Sequence, residues 1–163
     1  MHISPMEPRD VGGVLQVQSE VFANHLQEKA DVFYDRLRFF PPGCWVARQE
    51  GRIIGYLVSH PWRMNHAPSL NTFPLHLPQQ PDCYYIHDIA TSHSYQGVGR
   101  ALAQQALRVA AMHGFMDLAL ISVQESKPLC ERLGFRASQA ISHEQLSSYG
   151  EGATYMQYSI TPS

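Results

Sequence analysis

Apolar residues recur at helical spacing within the first forty residues. Between residues 7 and 22 this spacing predicts a helix that tolerates Pro8 in its first turn. The apolar positions are Val11, Val14, Leu15, Val21 and Phe22. A second amphipathic segment covers residues 24–40, and Pro41-Pro42-Gly43 stops it. The pattern therefore predicts two neighbouring helices.

Short β-rich runs follow this helical pair. Residues 44–48 and 52–60 flank Gln49-Glu50-Gly51, which predicts a hairpin. Residues 61–81 form a long loop interrupted by prolines, and a loop of this length is either a wall of a substrate site or a mobile insertion. Residues 82–92 are aromatic and β-branched, which predicts a strand.

Helix and strand patterns alternate in the second half of the chain. Apolar residues spaced four, four and three apart predict a helix that ends at His113-Gly114: Val98, Leu102, Ala106 and Val109. We expect a buried strand over residues 115–123, a short helix over 125–133 and a last strand over 153–160. This order predicts one α/β domain over residues 1–163, with a mixed sheet.

Composition and charge exclude several classes of function. The chain has 44% hydrophobic and 16% charged residues, which is ordinary for a globular domain. A formal charge of -2, without any run of Lys or Arg, gives nucleic acid or an acidic membrane no electrostatic attraction. We see no apolar leader or membrane span and expect a cytoplasmic protein. Three widely spaced cysteines without a CxxC pair indicate reduced thiols.

Nine histidines raise the question of a metal site. The sequence has no HExxH motif and no Cys/His pair at finger spacing. Cys83 and His87 would lie roughly 13 Å apart along an extended strand, which is too far for one zinc ion. We therefore expect no metal.

The most informative segment is Gln96-Gly97-Val98-Gly99-Arg100-Ala101, between a predicted strand and a long amphipathic helix. A helix N-terminus has unpaired N–H groups and a partial positive charge, and glycines let a pyrophosphate approach its backbone. A dinucleotide fingerprint would need glycine where Leu102 stands, and a P-loop would need Gly-Lys-Ser/Thr. The segment is either an anion-binding site or a flexible turn before a helix.

This segment resembles the Gln/Arg-x-x-Gly-x-Gly/Ala acetyl-CoA signature of GNAT superfamily N-acetyltransferases. His87-Asp88-Ile89-Ala90-Thr91 is similar to the central strand of that superfamily, and residues 129–135 resemble its late helix-Gly-Phe element. The resemblance implies the GNAT acyltransferase fold, with a mixed, mostly antiparallel sheet flanked by helices, and transfer of acetyl from acetyl-CoA to an amine. A finer likeness is to arylalkylamine N-acetyltransferases, through Tyr85-Ile86-His87, the Pro-rich loop and residues 128–135.

The resemblance also implies which residues bind acetyl-CoA. The backbone of Ile89 and Thr91 would bind the pantetheine arm and the thioester carbonyl, and Arg100 would add a charge-assisted contact to the pyrophosphate. The full set implied for cofactor binding is Ile89, Ala90, Thr91, Gln96, Gly97, Val98, Gly99, Arg100, Ala101 and Leu102.

His87 is the candidate general base, because an amine with a pKa near 10 must lose a proton before it attacks a thioester. The other interpretation is a structural histidine bonded within the sheet. Strand alternation places His87 on the same face as Tyr85 and Ile89, and Asp88 on the opposite face. Unless a bulge rotates the strand, we expect Asp88 to cap or pair rather than to catalyse.

Cys130 stands where the resembled superfamily usually has a tyrosine that protonates the CoA thiolate. Either its thiol is the catalytic acid, or Cys130 is a small buried hydrophobe and Tyr85 or Tyr149 supplies the proton. Another departure is a missing asparagine, replaced by Val123 and Gln124. Five aromatic residues either line an acceptor pocket or belong to the core: Phe33, Tyr34, Phe39, Phe40 and Trp62.

Three functions stay open at this point. The leading interpretation is an N-acetyltransferase of a small-molecule amine. The rivals are an enzyme that acetylates protein lysines or N-termini and a catalytically inactive acyl-CoA-binding sensor. A loop 61–81 that folds over the site would favour a small molecule, and a slot open at both ends would favour a peptide. If the protein is an oligomer, a homodimer is the commonest choice.

Overall fold

The computed structural model describes residues 1–160, which contain seven strands in one sheet. The strands are β1 (His2–Pro5), β2 (Cys44–Gln49), β3 (Arg52–Trp62), β4 (Cys83–Thr91), β5 (Asp117–Ser122), β6 (Arg136–Ala137) and β7 (Thr154–Ser159). Their order across the sheet is β1-β2-β3-β4-β5-β7-β6. The β4–β5 pair is parallel and the other pairs are antiparallel. The predicted mixed, mostly antiparallel sheet is therefore confirmed.

Helices cover both faces of this sheet. They are α1 (Val11–Val21), α2 (Ala30–Phe39), α3 (Val98–Met112), α4 (Lys127–Arg132) and α5 (His143–Leu146). On one face α1 and α2 bury Val14 and Phe33 in a cluster with Tyr56 of β3. On the other face α3 buries Leu102 in a cluster with Leu57 of β3. Burial of each such side chain contributes about 1.5–3 kcal/mol, so two apolar layers hold the sheet.

The prediction of one helix over residues 24–40 is wrong. Asn24–Leu26 forms a 3-10 turn, and α2 begins only at Ala30. In the segment between the 3-10 turn and α2, the side-chain amide of Gln18 accepts a hydrogen bond from the N–H of Glu28 at 2.8 Å. It also donates a hydrogen bond to the backbone carbonyl of Glu28 at 2.9 Å. These bonds satisfy backbone groups that a helix would have paired internally, and they leave the Glu28 side chain free for other contacts.

The bounds of several further elements differ from the pattern. The four residues of β1 pair with β2, and they are too few to show an alternation in the sequence. The strand predicted over residues 115–123 is shorter, at Asp117–Ser122. Residues 63–82 contain no helix or strand, as predicted for the long loop, although β3 continues to Trp62.

Within residues 1–160 no helix has the length and apolarity needed to cross a bilayer.

Candidate active site

A cleft passes through the sheet between β4 and β5. The two strands pair over three residues, the last pair being Ile86 and Leu120, and then separate. The cleft has a volume of about 690 Å³, which lies within the usual range for small-molecule sites. One end, called here the α3 end, is lined by Thr91, Gly99 and Leu129. The opposite or α1 end is lined by Phe22, Leu26, Glu28, Leu70 and Tyr149.

Helix α3 presents a glycine-rich N-terminus at the α3 end. Its N-cap Gly97 has a φ of 80°, a left-handed conformation that favours glycine. The N–H of Ala101 bonds to the carbonyl of Gly97 at 3.1 Å. The three amides before it, from Val98 to Arg100, precede the first helical bond and are free to bind an anion. A Cβ on Gly97 would meet only open space. This geometry fits a pyrophosphate.

Strand β4 has a bulge at His87. Its register with β3 shifts after Val58, so that Asp88 pairs with Val58 and His87 is skipped. One extra residue reverses the alternation of the strand. The prediction that His87 shares a face with Ile89 and opposes Asp88 is therefore wrong. His87 and Asp88 both contact residues on the α1 side, while Ile89 packs in the cluster on the α3 side.

A buried pair of ionisable side chains lies beside the bulge. Glu28 Oε1 is 2.6 Å from His87 Nε2, and the two side chains are 2% and 1% exposed. The other oxygen of Glu28 accepts a hydrogen bond from the N–H of Asn71 at 3.0 Å. Burial raises the pKa of Glu28, but the charge and hydrogen bond of His87, the Asn71 N–H and the Arg36 charge outweigh it, and the pKa falls below 4.5. Glu28 is therefore ionised at neutral pH and accepts the Nε2–H of His87.

The second ring nitrogen of His87 is free to take a proton. Its Nδ1 is buried and has no hydrogen-bond partner within residues 1–160. The adjacent His60 ring, 5.9 Å away between centroids, donates its Nδ1–H to the Pro61 carbonyl. Burial, together with the nearby His87, lowers the pKa of His60 to about 3, so His60 is neutral. With Nε2–H bonded to Glu28, a neutral His87 has its lone pair on Nδ1.

Asp88 is a second carboxyl group on the same face. Its Oδ2 accepts a hydrogen bond from the Tyr56 hydroxyl at 2.7 Å, and the residue lines the cleft. Burial and the Glu28 charge raise the pKa of Asp88 to about 7. Burial and the Asp88 charge also raise the pKa of Tyr56, which keeps its phenol protonated. Asp88 therefore titrates near neutral pH, where a general base is most effective.

Cys130 lines the cleft from the side of α4. It belongs to an apolar cluster with Ile86 and Leu120. Burial raises the pKa of its thiol to about 11, which makes it a weaker acid than an ordinary thiol near 8.5 and a poor donor to a thiolate. These features favour the buried-hydrophobe interpretation, and the acid role stays a prediction that kinetics must test.

The two tyrosines considered as alternative acids differ in position. Tyr149 lines the α1 end of the cleft, and its hydroxyl donates a hydrogen bond to the carbonyl of Pro68. Tyr85 is 1% exposed and is absent from the cleft lining, although its ring centroid lies 6.3 Å from that of His87. Burial raises the pKa of both phenols above 10. Of the two, Tyr149 alone borders the cleft among the described residues.

The long loop packs against α2 and borders the α1 end. Asn71 has a left-handed backbone with a φ of 57°, and its Oδ1 accepts the N–H of Lys29 at 2.8 Å. The buried Arg36 donates to the carbonyl of Thr72 at 3.1 Å. Leu70, next to Asn71, lines the cleft. These contacts favour the wall interpretation of residues 61–81 over a mobile insertion.

A further contact covers the α1 end from outside. The turn Asn24–Leu26 lies against the turn Ser147–Tyr149, which precedes β7. The approach is close: a Cβ on Gly150 would lie 2.9 Å from Nε2 of His25. The loop and these turns both border the α1 end, which favours a compact acceptor over an extended chain.

The cleft brings together half of the residues predicted for the site. Its lining includes His87, Ile89, Ala90, Thr91, Gly99 and Cys130. Gln96, Gly97 and Arg100 are exposed at the start of α3, and Ala101 is half-buried there. Val98 and Leu102 are 3% and 0% exposed, and both side chains pack in the core. Val98 can therefore contact a ligand only through its backbone N–H. Within residues 1–160 no cluster of three or more His, Cys, Asp and Glu could hold a metal ion.

Other residues of the site were missed or misplaced by sequence reasoning. Glu28, Tyr56 and Asn71 form the polar contacts around His87 and Asp88, yet each lies far from them in sequence and belongs to no motif. The five candidate aromatic residues are absent from the cleft lining, where Phe22 is present instead. Phe33 is core, whereas Tyr34 and Phe39 are exposed on α2.

Several solved structures have a similar fold over almost the whole length of this chain. The GphF GNAT-like decarboxylase in complex with isobutyryl-CoA has a TM-score of 0.79 at 13% identity, covering 99% of this chain and 100% of that one. The ribosomal-protein-S18-alanine N-acetyltransferase from Escherichia coli has 0.68 at 17% identity, covering 99% and 95%. A GNAT family acetyltransferase from Brucella melitensis in complex with acetyl-CoA has 0.62 at 16% identity, covering 99% and 88%. At these identities the likeness concerns the fold.

Sequence comparison adds the family. A search of curated proteins finds no significant match. The profile of the acetyltransferase (GNAT) family matches residues 13–135. That range contains the bulge of β4, the glycine-rich start of α3 and Cys130 of α4. The chain therefore belongs to the acetyltransferase (GNAT) family and is an acyltransferase.

Proposed function

We propose that this protein is an acetyl-CoA-dependent N-acetyltransferase of a small amine with an apolar body. One observation supports this most: a single cleft joins the glycine-rich N-terminus of α3 to the buried Glu28–His87 pair. The first feature suits a pyrophosphate and the second suits proton transfer from an amine. The structurally similar GNAT family acetyltransferase from Brucella melitensis was solved in complex with acetyl-CoA.

The α3 end suits the CoA part of the donor. The free amides of α3 and its glycines can bind the pyrophosphate. Beyond Ile86, β4 has no pairing with β5, so the backbone of residues 89–91 can bind the amides of the pantetheine arm. Thr91 lies four residue steps along the strand from His87, a span of roughly 13 Å. An arm that follows β4 over this span brings the thioester to the bulge.

The reaction then needs a displacement and proton transfers. The ammonium group gives a proton to Nδ1 of His87 through an intervening water, because this nitrogen is buried, and Glu28 stabilises the imidazolium that forms. The free amine attacks the thioester carbonyl, a C–N bond forms, the C–S bond breaks, and the CoA thiolate leaves. Asp88 lines the cleft and has a pKa of about 7. It can therefore take the proton that the nitrogen loses as the amide forms. The leaving thiolate takes a proton from water, and His87 and Asp88 return theirs to solvent before the next turnover.

The α1 end supports a small acceptor with an apolar body. Phe22, Leu26 and Leu70 line it beside the carboxyl groups of Glu28 and Asp88. An amine on an aromatic or hydrocarbon body, such as an arylalkylamine, matches this combination of apolar wall and acidic groups. The loop and the turns that cover this end argue against an extended peptide.

The first experiment is thiol release from acetyl-CoA with arylalkylamines, polyamines, aminoglycosides and short peptides. We expect turnover with arylalkylamines. In His87→Gln we expect kcat/KM at pH 7 to fall about 100-fold, the usual size of a general-base contribution. Glu28→Gln should lower it at least tenfold, because a neutral amide stabilises an imidazolium poorly. His76→Gln, an exposed histidine of the loop, is the matched control.

Other outcomes of this experiment have clear meanings. Turnover confined to peptides would contradict the proposed acceptor. Binding of acetyl-CoA without turnover on any amine would contradict the proposed reaction and favour an acyl-CoA sensor. Full activity in His87→Gln, with loss in Asp88→Asn, would make Asp88 the base.

A further inference from the structure

The cleft contains an apolar chamber that a two-carbon acyl group does not explain. Its walls, called here the acyl chamber, are Ile86, Ala103, Leu120, Cys130, Leu133 and Phe135, all of which line the cleft. All but Leu133 are at most 7% exposed. None of these side chains has an oxygen or a nitrogen. The chamber therefore has no side-chain partner for the amides of a pantetheine arm, and it suits a hydrocarbon.

The chamber lies beyond the point that the thioester reaches. A donor arm that enters at Gly99 and follows β4 from Thr91 arrives at His87, and the next residue toward the closed end of the cleft is Ile86. There Ile86 pairs with Leu120, and the two strands meet. An acyl chain on a thioester at His87 thus continues into the apex between β4 and β5.

Two small side chains keep the chamber open. Ala103 enters it from α3, and Cys130 enters it from α4. Both are buried, at 3% and 7% exposed. Their larger neighbours along the cleft, Leu129 and Leu133, are less buried. A larger residue at position 103 or 130 would occupy the chamber without displacing the Glu28–His87 pair on the other face.

We propose that the enzyme also accepts donors whose acyl group is a few carbons longer than acetyl, and that it binds them more tightly than acetyl-CoA because the hydrocarbon chain occupies the acyl chamber. This inference rests on the proposed function for the transfer step, in which the same C–N bond forms and the same C–S bond breaks. The binding part of the inference concerns the free enzyme and the donor alone, so it is testable without an acceptor.

The test measures the Kd of CoA, acetyl-CoA, butyryl-CoA and octanoyl-CoA by calorimetry. Burial of two further methylene groups should make butyryl-CoA bind about tenfold more tightly than acetyl-CoA, and octanoyl-CoA should lose this gain because the apex is closed. Cys130→Phe fills the chamber without adding a hydroxyl and should abolish the butyryl preference. Glu131→Phe, at the exposed neighbouring position, should keep the wild-type ratio.

A second variant protects the test from a folding defect. Ala103→Val fills the chamber from the α3 side, and its control is Gln104→Val at an exposed position. Equal or weaker binding of butyryl-CoA in the wild type would overturn the inference, as would an unchanged butyryl-to-acetyl ratio in folded Cys130→Phe and Ala103→Val. Tight butyryl-CoA binding with no transfer to any amine would instead reject the proposed function and leave the chamber assignment standing.

Discussion

At the residue scale, two carboxyl groups beside the same cleft have opposite shifts in pKa. Both are desolvated, which alone raises the pKa of a carboxyl group. Glu28 overcomes this through His87, Asn71 and Arg36, and its pKa is lowered. Asp88 has the phenol of Tyr56 as its side-chain partner and the charge of Glu28 nearby, and its pKa rises to about 7. At neutral pH the site thus contains one fixed negative charge and one group that exchanges protons.

The raised pKa of Asp88 predicts a pH-dependent stability. The folded protein holds a proton on Asp88 between an unfolded pKa of 3.8 and a folded pKa of about 7. The contribution of this proton to the free energy of unfolding is fully present below pH 3.8 and is lost as the pH rises to about 7. We expect the free energy of unfolding of the wild type, relative to Asp88→Asn, to fall by on the order of 2 kcal/mol between pH 4.5 and 7.5. Urea unfolding at the two pH values measures it, and a constant difference would show that Asp88 is ionised throughout.

At the element scale, the two ends of the cleft depend on local breaks in regular structure. The bulge in β4 turns His87 and Asp88 toward the α1 side. Gly97 in the left-handed region begins α3, and Gly99 in its first turn leaves room at the cleft, since a Cβ there would lie 3.3 Å from Thr91 Oγ1. Each break aims a reactive group or a free amide at the cleft.

A substitution in the first turn of α3 should therefore change the binding of CoA without changing the thermal stability of the protein. Gly99→Leu should weaken the binding of CoA more than tenfold, because the added side chain occupies the cleft beside Thr91. Its thermal stability should change little, since the gain in helix propensity, about 0.5–1 kcal/mol, offsets the crowding. Gly12→Leu, on the exposed face of α1, is the control and should bind CoA like the wild type. Unchanged CoA binding in Gly99→Leu would place the pyrophosphate elsewhere.

At the scale of the whole molecule, a side chain bridges the two sides of the cleft. Gln124, just after β5, accepts a hydrogen bond from the N–H of Ala23 at 3.0 Å and donates one to the carbonyl of Val21 at 3.1 Å. Gln124 has a φ of 54°, in the left-handed region. It thus links the strand that leaves the cleft on one side to the end of α1 on the other.

The two hydrogen bonds of Gln124 should raise the free energy needed to open residues 20–26 locally. Gln124→Asn keeps an amide that tolerates the left-handed backbone but is one methylene shorter, so both bonds should be lost. Loss of about 1 kcal/mol of local stability should speed hydrogen exchange in residues 20–26 about fivefold. Exchange followed by mass spectrometry tests this, with Gln104→Asn on α3 as control. The same exchange rate in wild type and Gln124→Asn would mean that packing, and not the bridge, holds this segment.

Local pattern in the sequence was enough for the fold and for one end of the site. Helical and strand periodicities, together with the glycines after β4, predicted α3, its N-terminus and a mixed sheet, because each depends on neighbouring residues and on which face is apolar. That the sheet is mostly antiparallel was implied by the resemblance to the GNAT superfamily. The same residues produced the family resemblance that the profile match over residues 13–135 confirms.

The tertiary structure alone decided what surrounds His87. A bulge depends on the register between two strands, and alternation within β4 could not show that His87 and Asp88 share a face. Glu28, after a broken helix, lies 59 positions from His87, and Asn71, in the long loop, lies 43 positions from Glu28. Charges, burial and pKa depend on such distant neighbours. The sequence by itself therefore determined the fold and the helix proposed to bind CoA, whereas packing determined the groups proposed to transfer protons and the shape of the cleft.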